Sequence, residues 1–419
     1  MTTMEASAEV MTADGIPLRA KLRRTTRRNR IRALALVAPL LVFILVTFIV
    51  PIAEMLFRSV DNPRLSELMP KTVASLDRWD GRGLPDEATF AALAEELKLN
   101  RKNRTIGRIA SRLNYEKGGM RSLITGTARK LRKVESGPYK DALIKINKRW
   151  GERETWTTIK LVAERYTLAF FLAAIDRRFD ADGNIVMQPE VRRIYVRIFV
   201  RTLWISLLVM SICLALGYPV SYLLATLPVK TGNMLMILVL LPFWTSLLVR
   251  TTTWIVLLQS NGVINDILVW LGILSDEGRI RMIYNQTGTI IAMSQILLPF
   301  MVLPLYSVMK TISPSHMRAA QSLGAHPARA FWRVYVPQTV PGIGAGCLLV
   351  FILAIGYYIT PALVGGESGQ LISNLIAYHM KSSLNWGLAA ALGTILLGGV
   401  LVLYWLYNRL VGIESLKMG

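Results

Sequence analysis

Six runs of this chain are each long and apolar enough to cross a lipid bilayer, which takes about 20 residues of helix. They lie near residues 33–53, 198–225, 234–258, 287–309, 340–360 and 388–408. Soluble domains have no use for so many such runs, so the 419 residues do not divide into two or three soluble units. A hydrophobic content of 53% and a mean hydropathy of +0.40 agree. The expected fold class is an all-α membrane protein with six transmembrane helices. Pro39, Pro219, Pro242, Pro299 and Pro304 lie within or beside the runs. Neighbouring helices can satisfy the carbonyls that proline frees, so kinks are expected. A gating role for those kinks and plain inherited geometry both stay open.

Lysine and arginine near the run ends set the orientation. Lys21, Arg23, Arg24, Arg27, Arg28, Arg30 and Arg32 precede the first run, which puts the basic N-terminal segment, 1–32, in the cytoplasm. The first crossing, 33–57, has no A-x-A site after it and reads as a retained signal anchor. Six crossings return the tail, 412–419 with Lys417, to the cytoplasm. The loops at 226–233, with Lys230, and 310–339, with Lys310, Arg318, Arg329 and Arg333, face the same side. Residues 58–197 then form an extracytoplasmic insert, and 198–411 a five-helix core.

The insert is rich in lysine and arginine, but long segments translocate largely regardless of charge. It reads as mainly helical. Asp86 to Leu99 has helical spacing at Phe90, Leu93 and Leu97, with acids early. A longer helical pattern runs from Trp156 to Phe179, and its purely apolar part, Leu168 to Ile175, is too short to span. It reads as a core or interface helix. The basic surface is either simply solvated or meets a substrate-carrying protein or a neighbouring subunit. The net charge of +22 would point to nucleic acid in a soluble protein. Here an anionic inner leaflet accounts for part of it, and membrane lipid rather than nucleic acid is the expected partner.

Little in the chain points to catalysis. No G-x-x-x-x-G-K-[ST] phosphate loop and no H-E-x-x-H occurs. Cys213 and Cys347 lie inside apolar runs, and His316, His326 and His379 are scattered. No catalytic residue, metal site or cofactor is expected on this chain.

Ser313 to Pro337 is a short polar segment between two apolar runs. Ser313 can cap a helix whose first residue is Pro314, a favourable start because proline lacks an N–H. Met317, Ala320 and Leu323 then form one narrow apolar stripe. Ala319 and Ala320 are small enough to admit another surface, and Gly324 suits a helix end. Pro327 can start a second helix with Phe331, Val334 and Tyr335 on its apolar face, before Pro337 and Pro341 lead into the fifth crossing. From these residues alone, a lever at the end of the bundle and an amphipathic loop on lipid headgroups are both open.

The spacing resembles the coupling signature E-A-A-x3-G-x9-I-x-L-P of ATP-binding-cassette (ABC) importer permeases. Ala319, Ala320, Gly324, Val334 and Pro337 hold matching positions, with Val336 where leucine is usual and Arg318 where glutamate is usual. The resemblance runs from about residue 195 to 410. Leu241-Pro242-Phe243-Trp244-Thr245-Ser246, Arg250, Asn261-Gly262, Pro299 to Pro304, Gly365-Gly366 and Asn385-Trp386-Gly387 look like the polyamine branch of that family. The last departs from the usual D-W-P, and nothing in the resemblance covers 58–197. It implies a type I importer fold in a bacterial inner membrane, with no enzyme activity of its own. The implied partners are a second homologous permease subunit, two ATPase subunits that carry ATP and Mg, and a periplasmic solute-binding protein. The implied contacts to the ATPase are Met317, Arg318, Ala319, Ala320, Leu323, Gly324, Val334 and Pro337, with a compensating acid opposite Arg318. The implied cargo is a polyamine such as spermidine or putrescine; opines, amino-acid derivatives and other small solutes belong to the same branch.

Polar and aromatic groups within the runs are candidates for the solute pathway: Glu54, Trp244, Thr245, Arg250, Gln295, Tyr357 and Tyr358. Aromatic faces and an acid suit a cation. Interface anchoring for the aromatics and snorkelling for Arg250 are the competing readings. Gly342, Gly344 and Gly346 offer a small-residue stripe for close helix approach. The rival from another class is a channel or membrane anchor whose basic outer domain binds polyanions.

Overall fold

The computed structural model describes residues 18–134 and 137–411. The termini at 1–17 and 412–419, with Lys417, lie outside the described residues. The chain divides into two compact units at Phe57 and Arg58. The described part of the first is helical from Leu18 to Ile44, with a π turn at Leu45–Ile49 and a further helix, Val50–Arg58, that runs into the second. Proline 51 has no N–H for the carbonyl four residues back, and the turn widens just before it. Thr25–Arg58 is long and apolar enough to cross a membrane.

In the second unit, Tyr195–Thr226, Gln286–Thr311, Pro327–Gly356 and Trp386–Arg409 pass the same test. The third expected crossing is different. Instead of one span over 234–258, Val229–Trp244 and Leu247–Trp270 meet at a bend of 95°. Pro242 sits in a tight turn at Leu241–Trp244, and the Ser246 hydroxyl restarts the helix by accepting the Val249 N–H at 3.1 Å. Hydropathy sees only the total apolar length, so it cannot see this corner. The fifth crossing ends at Gly356, and its helix begins at Pro327 rather than near 340.

The bundle core joins Ile205, Val209 and Cys213 to Met293, Leu297, Met301 and Leu305, and to Val350 and Ala354. Missing side chains make this packing close. A Cβ on Gly346 would stand 2.7 Å from the Met301 sulfur, and one on Gly342 3.0 Å from Val308 Cβ. Gly342 and Gly346 of the expected stripe thus face Gln286–Thr311.

The insert has its own core, built on Phe90, Leu93, Leu97, Ile109, Leu113, Trp150 and Trp156. Asp86 caps Glu87–Lys102 by accepting the Thr89 N–H. Glu96, almost wholly buried, accepts the N–H groups of Lys71 and Thr72 and the Thr72 hydroxyl, closing the start of Pro70–Arg78. The expected long helix from Trp156 to Phe179 is broken. Arg153–Ala163 ends it, Ala169–Ala174 is a separate short helix, and Arg177–Phe179 pairs as a strand with Ile185–Met187. The start of the insert meets a stretch well before its end: Asn62 N donates to Arg165 O at 2.6 Å and Thr167 N to Val60 O at 2.9 Å. That pairing, which no helical pattern reveals, interrupts the helix.

The insert sits at one end of Tyr195–Thr226, a helix about 48 Å long at 1.5 Å per residue. Arg64 Nη2 donates to Leu384 O at 2.8 Å, the Tyr115 hydroxyl donates to Ser383 O, and Phe170 packs on Leu388, Ala391 and Leu392. The 312–326 segment lies at the other end, where Lys310 Nζ reaches Ala225 O at 3.4 Å. The two features therefore occupy opposite ends of the bundle.

Trp156 is fully buried, with its ring 4.4 Å from Phe90 and 5.4 Å from Trp150, and its Nε1–H bonds to Trp150 O. Trp156→Ala is expected to cost the insert about 3–5 kcal/mol. Limited proteolysis should then cut within 58–197 while the helical bundle survives.

Candidate functional site

At the end of the bundle away from the insert, Ser313 Oγ accepts the Ser315 N–H and Pro314 begins a helix that runs to Ser322. Gly324 ends it with φ of +88°, a left-handed conformation that favours glycine. His326 Nδ1 accepts the Ala328 N–H, and Pro327 opens the next helix. This helix does not stop before the membrane crossing. A π turn at Phe331–Tyr335 carries it into Val336–Gly356, with Val336 N bonded to Phe331 O. Pro337 cannot donate to the Arg333 carbonyl, which accounts for the widening.

That turn stacks Phe331 on Tyr335, with centroids 5.6 Å apart and planes 16° from parallel. Tyr222, from the end of Tyr195–Thr226, meets both rings edge-on at 5.4 and 5.2 Å, and Tyr218 meets Phe331 at 6.4 Å. The Tyr218 hydroxyl is 3.2 Å from Thr339 Oγ1. This four-ring joint fixes the polar segment to two long helices. Sequence reasoning missed Tyr218 and Tyr222, although their i, i+4 spacing at a helix end was a usable signal.

The segment's side chains divide between two faces. Met317 packs against the bundle core and Ala320 is half-buried, but Leu323 is 89% exposed. The expected single stripe Met317, Ala320, Leu323 therefore splits, because the helix ends at Ser322 and Leu323 turns outward. Arg318 and Ala319 are exposed, as are Gly324 and Pro337, and Val334 is half-buried. Arg318 makes no ion pair among the described residues. Trp332 is 68% exposed on the same end. The arrangement offers an outward surface of small and apolar groups with the cations Arg318, Arg329 and Arg333, on a rigid mount.

The candidate pathway residues are only partly brought together. Trp244, 76% exposed, and Thr245 occupy the 95° corner, where Thr245 Oγ1 bonds to Pro242 O. Past the corner, Arg250 lies within electrostatic reach of Tyr357, which stands close to Thr360. Thr360 Oγ1 is in turn 3.3 Å from Thr251 Oγ1. Arg250 Nε and Nη1 are buried without a hydrogen-bond partner. Gln295 Oε1 accepts the Trp254 indole N–H at 3.2 Å. Tyr357 and Tyr358 form the break between two helices, with their carbonyls accepting Ser373 Oγ and Asn374 Nδ2. The Lys381 ammonium already covers the Tyr358 ring at 5.2 Å. Glu54 belongs to the first unit and is exposed there.

The motif glycines have steric reasons. A Cβ on Gly262 would stand 2.6 Å from Val256 O, and one on Gly366, at φ +52°, 2.3 Å from Tyr284 O. Where the insert meets the bundle, a cavity of about 300 Å³ is lined by Tyr115, Phe170, Gln188, Tyr195 and His379 among others. Burial pushes the His379 imidazole down to about 4, so it is neutral near pH 7, placed between the Tyr195 hydroxyl at 2.9 Å and Ser383 Oγ at 2.8 Å.

A family model described as "Binding-protein-dependent transport system inner membrane component" matches residues 215–412. The spermidine/putrescine transport system permease protein PotB of Salmonella typhimurium (strain SL1344) is 37% identical over 221 residues, covering 52% of this chain and 76% of that protein. PotB of Escherichia coli (strain K12) has the same identity and covers 80% of that protein. A solved bacterial ABC transporter involved in the import of alginate is more distant, at 22% identity and a TM-score of 0.42 over 54% of this chain and 80% of that one.

Phe331→Ala removes the ring shared by four aromatic contacts, with Tyr218, Tyr222, Trp332 and Tyr335. It is expected to cost about 2 kcal/mol, below the range for a fully buried phenylalanine. Protease sensitivity at 312–326 should rise, with little change within 58–197.

Proposed function

The chain belongs to the family of binding-protein-dependent transport system inner membrane components, and we propose that it forms half of the solute pathway of an ATP-driven importer of polyamines such as spermidine or putrescine. It is a multi-pass protein of the bacterial inner membrane. The observation that carries the cargo is 37% identity to two spermidine/putrescine permeases over at least three quarters of their length.

A pathway between subunits needs a second half, here a homologous permease. The motor is a pair of separate ATPase subunits, which hold ATP and Mg. A soluble binding protein delivers solute on the insert side. In this reading, residues 313–337 face the cytoplasm, as do both termini, and dock on the ATPase. The opposite placement of insert and segment supports putting them on opposite sides of the membrane, and the lysines and arginines of 1–32 then set which side is the cytoplasm.

The mechanism follows from the mount. When ATP draws the motor subunits together, their grooves carry Pro314–Ser322 with them. The joint of Phe331 and Tyr335 on Tyr222 passes that displacement to Tyr195–Thr226 and Val336–Gly356 instead of letting a loop absorb it. The bundle then changes between inward and outward access, its two states biased by nucleotide and by the loaded binding protein. Glu54, Trp244, Thr245, Arg250, Gln295, Tyr357 and Tyr358 are the candidate contacts for solute, with aromatic faces and the Glu54 carboxylate suited to an alkylammonium.

Ala320→Asp places a charge on the docking helix. Uptake into proteoliposomes is expected to fall at least tenfold while ATP hydrolysis by the complex persists; coupled uptake at the normal rate would overturn the lever role. Arg318→Glu is expected to weaken co-purification of the ATPase, because it places an acid opposite the proposed compensating acid.

A further inference from the structure

The insert's charge is unevenly placed. Residues 58–197 hold 29 lysines and arginines against 18 aspartates and glutamates. Between Leu97 and Val134 there are twelve of the former and only Glu116 of the latter. Arg108 and Arg112 lie beside Arg64 and Lys117 pairs with Glu154, but hydrogen bonds join the elements that carry most of the others. Arg101 Nη1 bonds to Ala128 O, Lys98 Nζ to Val134 O and Lys130 Nζ to Ile146 O, which stitches Glu87–Lys102, Met120–Lys133 and Tyr139–Ile146 into one surface. Lys102, Arg129, Arg132, Lys145 and Lys148 stand exposed on it, with no ion pair among the described residues. Of the acids on these elements, Glu95 is paired with Lys71, Glu87 accepts the backbone N–H groups of Tyr139 and Lys140, and Asp141 is exposed.

This surface is not the one that meets the bundle. The bundle contacts come from Arg64, Tyr115 and Ala169–Ala174. Most of the insert's exposed large apolar side chains, Tyr166, Leu168, Ile175, Ile185, Met187 and Val191, also lie in the stretch leading back to the bundle, and Leu99 is the exception. A lipid-binding surface would combine its cations with apolar groups that enter the bilayer. The stretch leading back to the bundle has that combination, with Arg165, Arg177, Arg193 and Arg197 exposed among its apolar groups, whereas the surface around Lys102 has only Leu99, which favours a protein partner there.

We propose that the basic surface around Lys102, Arg129, Arg132 and Lys148 is the electrostatic landing site for an acidic surface of the solute-binding protein. The proposal rests on the importer reading. If the cargo is a polycation, this surface repels the free solute and attracts a carrier that presents carboxylates. Clustered charge of this kind speeds encounter and sets its salt dependence more than it tightens the final complex.

The test uses the whole transporter in proteoliposomes, with ATP inside and the spermidine-loaded binding protein of the same system outside. The variant combines Lys102→Glu, Arg129→Glu, Arg132→Glu and Lys148→Glu, with proteolysis confirming that the insert stays folded. At low salt, the half-saturating concentration of binding protein should rise at least tenfold while maximal uptake changes less than twofold. The rise that wild type shows with added salt should disappear. Asp141→Lys should move half-saturation the other way. Unchanged half-saturation in the fourfold variant overturns the proposal, including the case where only binding to anionic-lipid vesicles is lost. A fall in maximal uptake alone overturns it as well. Failure of the wild-type complex to take up spermidine strikes the importer reading itself, a result distinct from any of these.

Discussion

A backbone N–H or carbonyl inside a lipid bilayer must find its partner within the protein, because neither lipid nor water is there to supply one. Much of the second unit answers that demand at the places where its helices break. Thr245 and Ser246 serve the corner after Pro242, Ser373 and Asn374 serve the break at Tyr357 and Tyr358, and Asn265 bonds both to Gln259 O and to Ile280. Prolines 51 and 337 are handled differently, by widening the helix for a single turn. Breaks held in this way are defined corners, and a bundle with defined corners has a small number of arrangements to move between.

How much of this was legible in the sequence depends on the range of the interaction concerned. Apolar length is a local property, so most of the crossings could be read directly. Capping is local too: Asp86, Ser313 with Pro314, Gly324 and Pro327 all do what their residue types suggest. The corner in the third crossing was not legible, because its apolar run is continuous and Pro242 alone does not say whether a helix bends or stops. The Trp156 to Phe179 pattern misled for the opposite reason. Its spacing is helical, but a distant partner, Asn62, claims the Arg165 carbonyl.

The segment at 313–337 shows the same division. Its caps and small residues could be read in order, and the family resemblance rested on them. The joint of Tyr218, Tyr222, Phe331 and Tyr335 could not, since its halves lie more than a hundred positions apart. The outward turn of Leu323 also depends on where the helix stops, which periodicity does not report. For the pathway candidates, type and location are visible in the sequence, but neighbours are not. The nearness of Arg250 to Tyr357 and the Trp254 and Gln295 bond emerge only from the fold.

The meeting of Val60 and Asn62 with Arg165 and Thr167 has a wider consequence. A stretch such as 62–165, whose two ends clasp each other, leaves a gap that a few residues can close. Such a cassette can be gained, exchanged or discarded between lineages while the machinery beneath keeps its geometry, so the outer attachment and the transport engine are free to diversify at different rates.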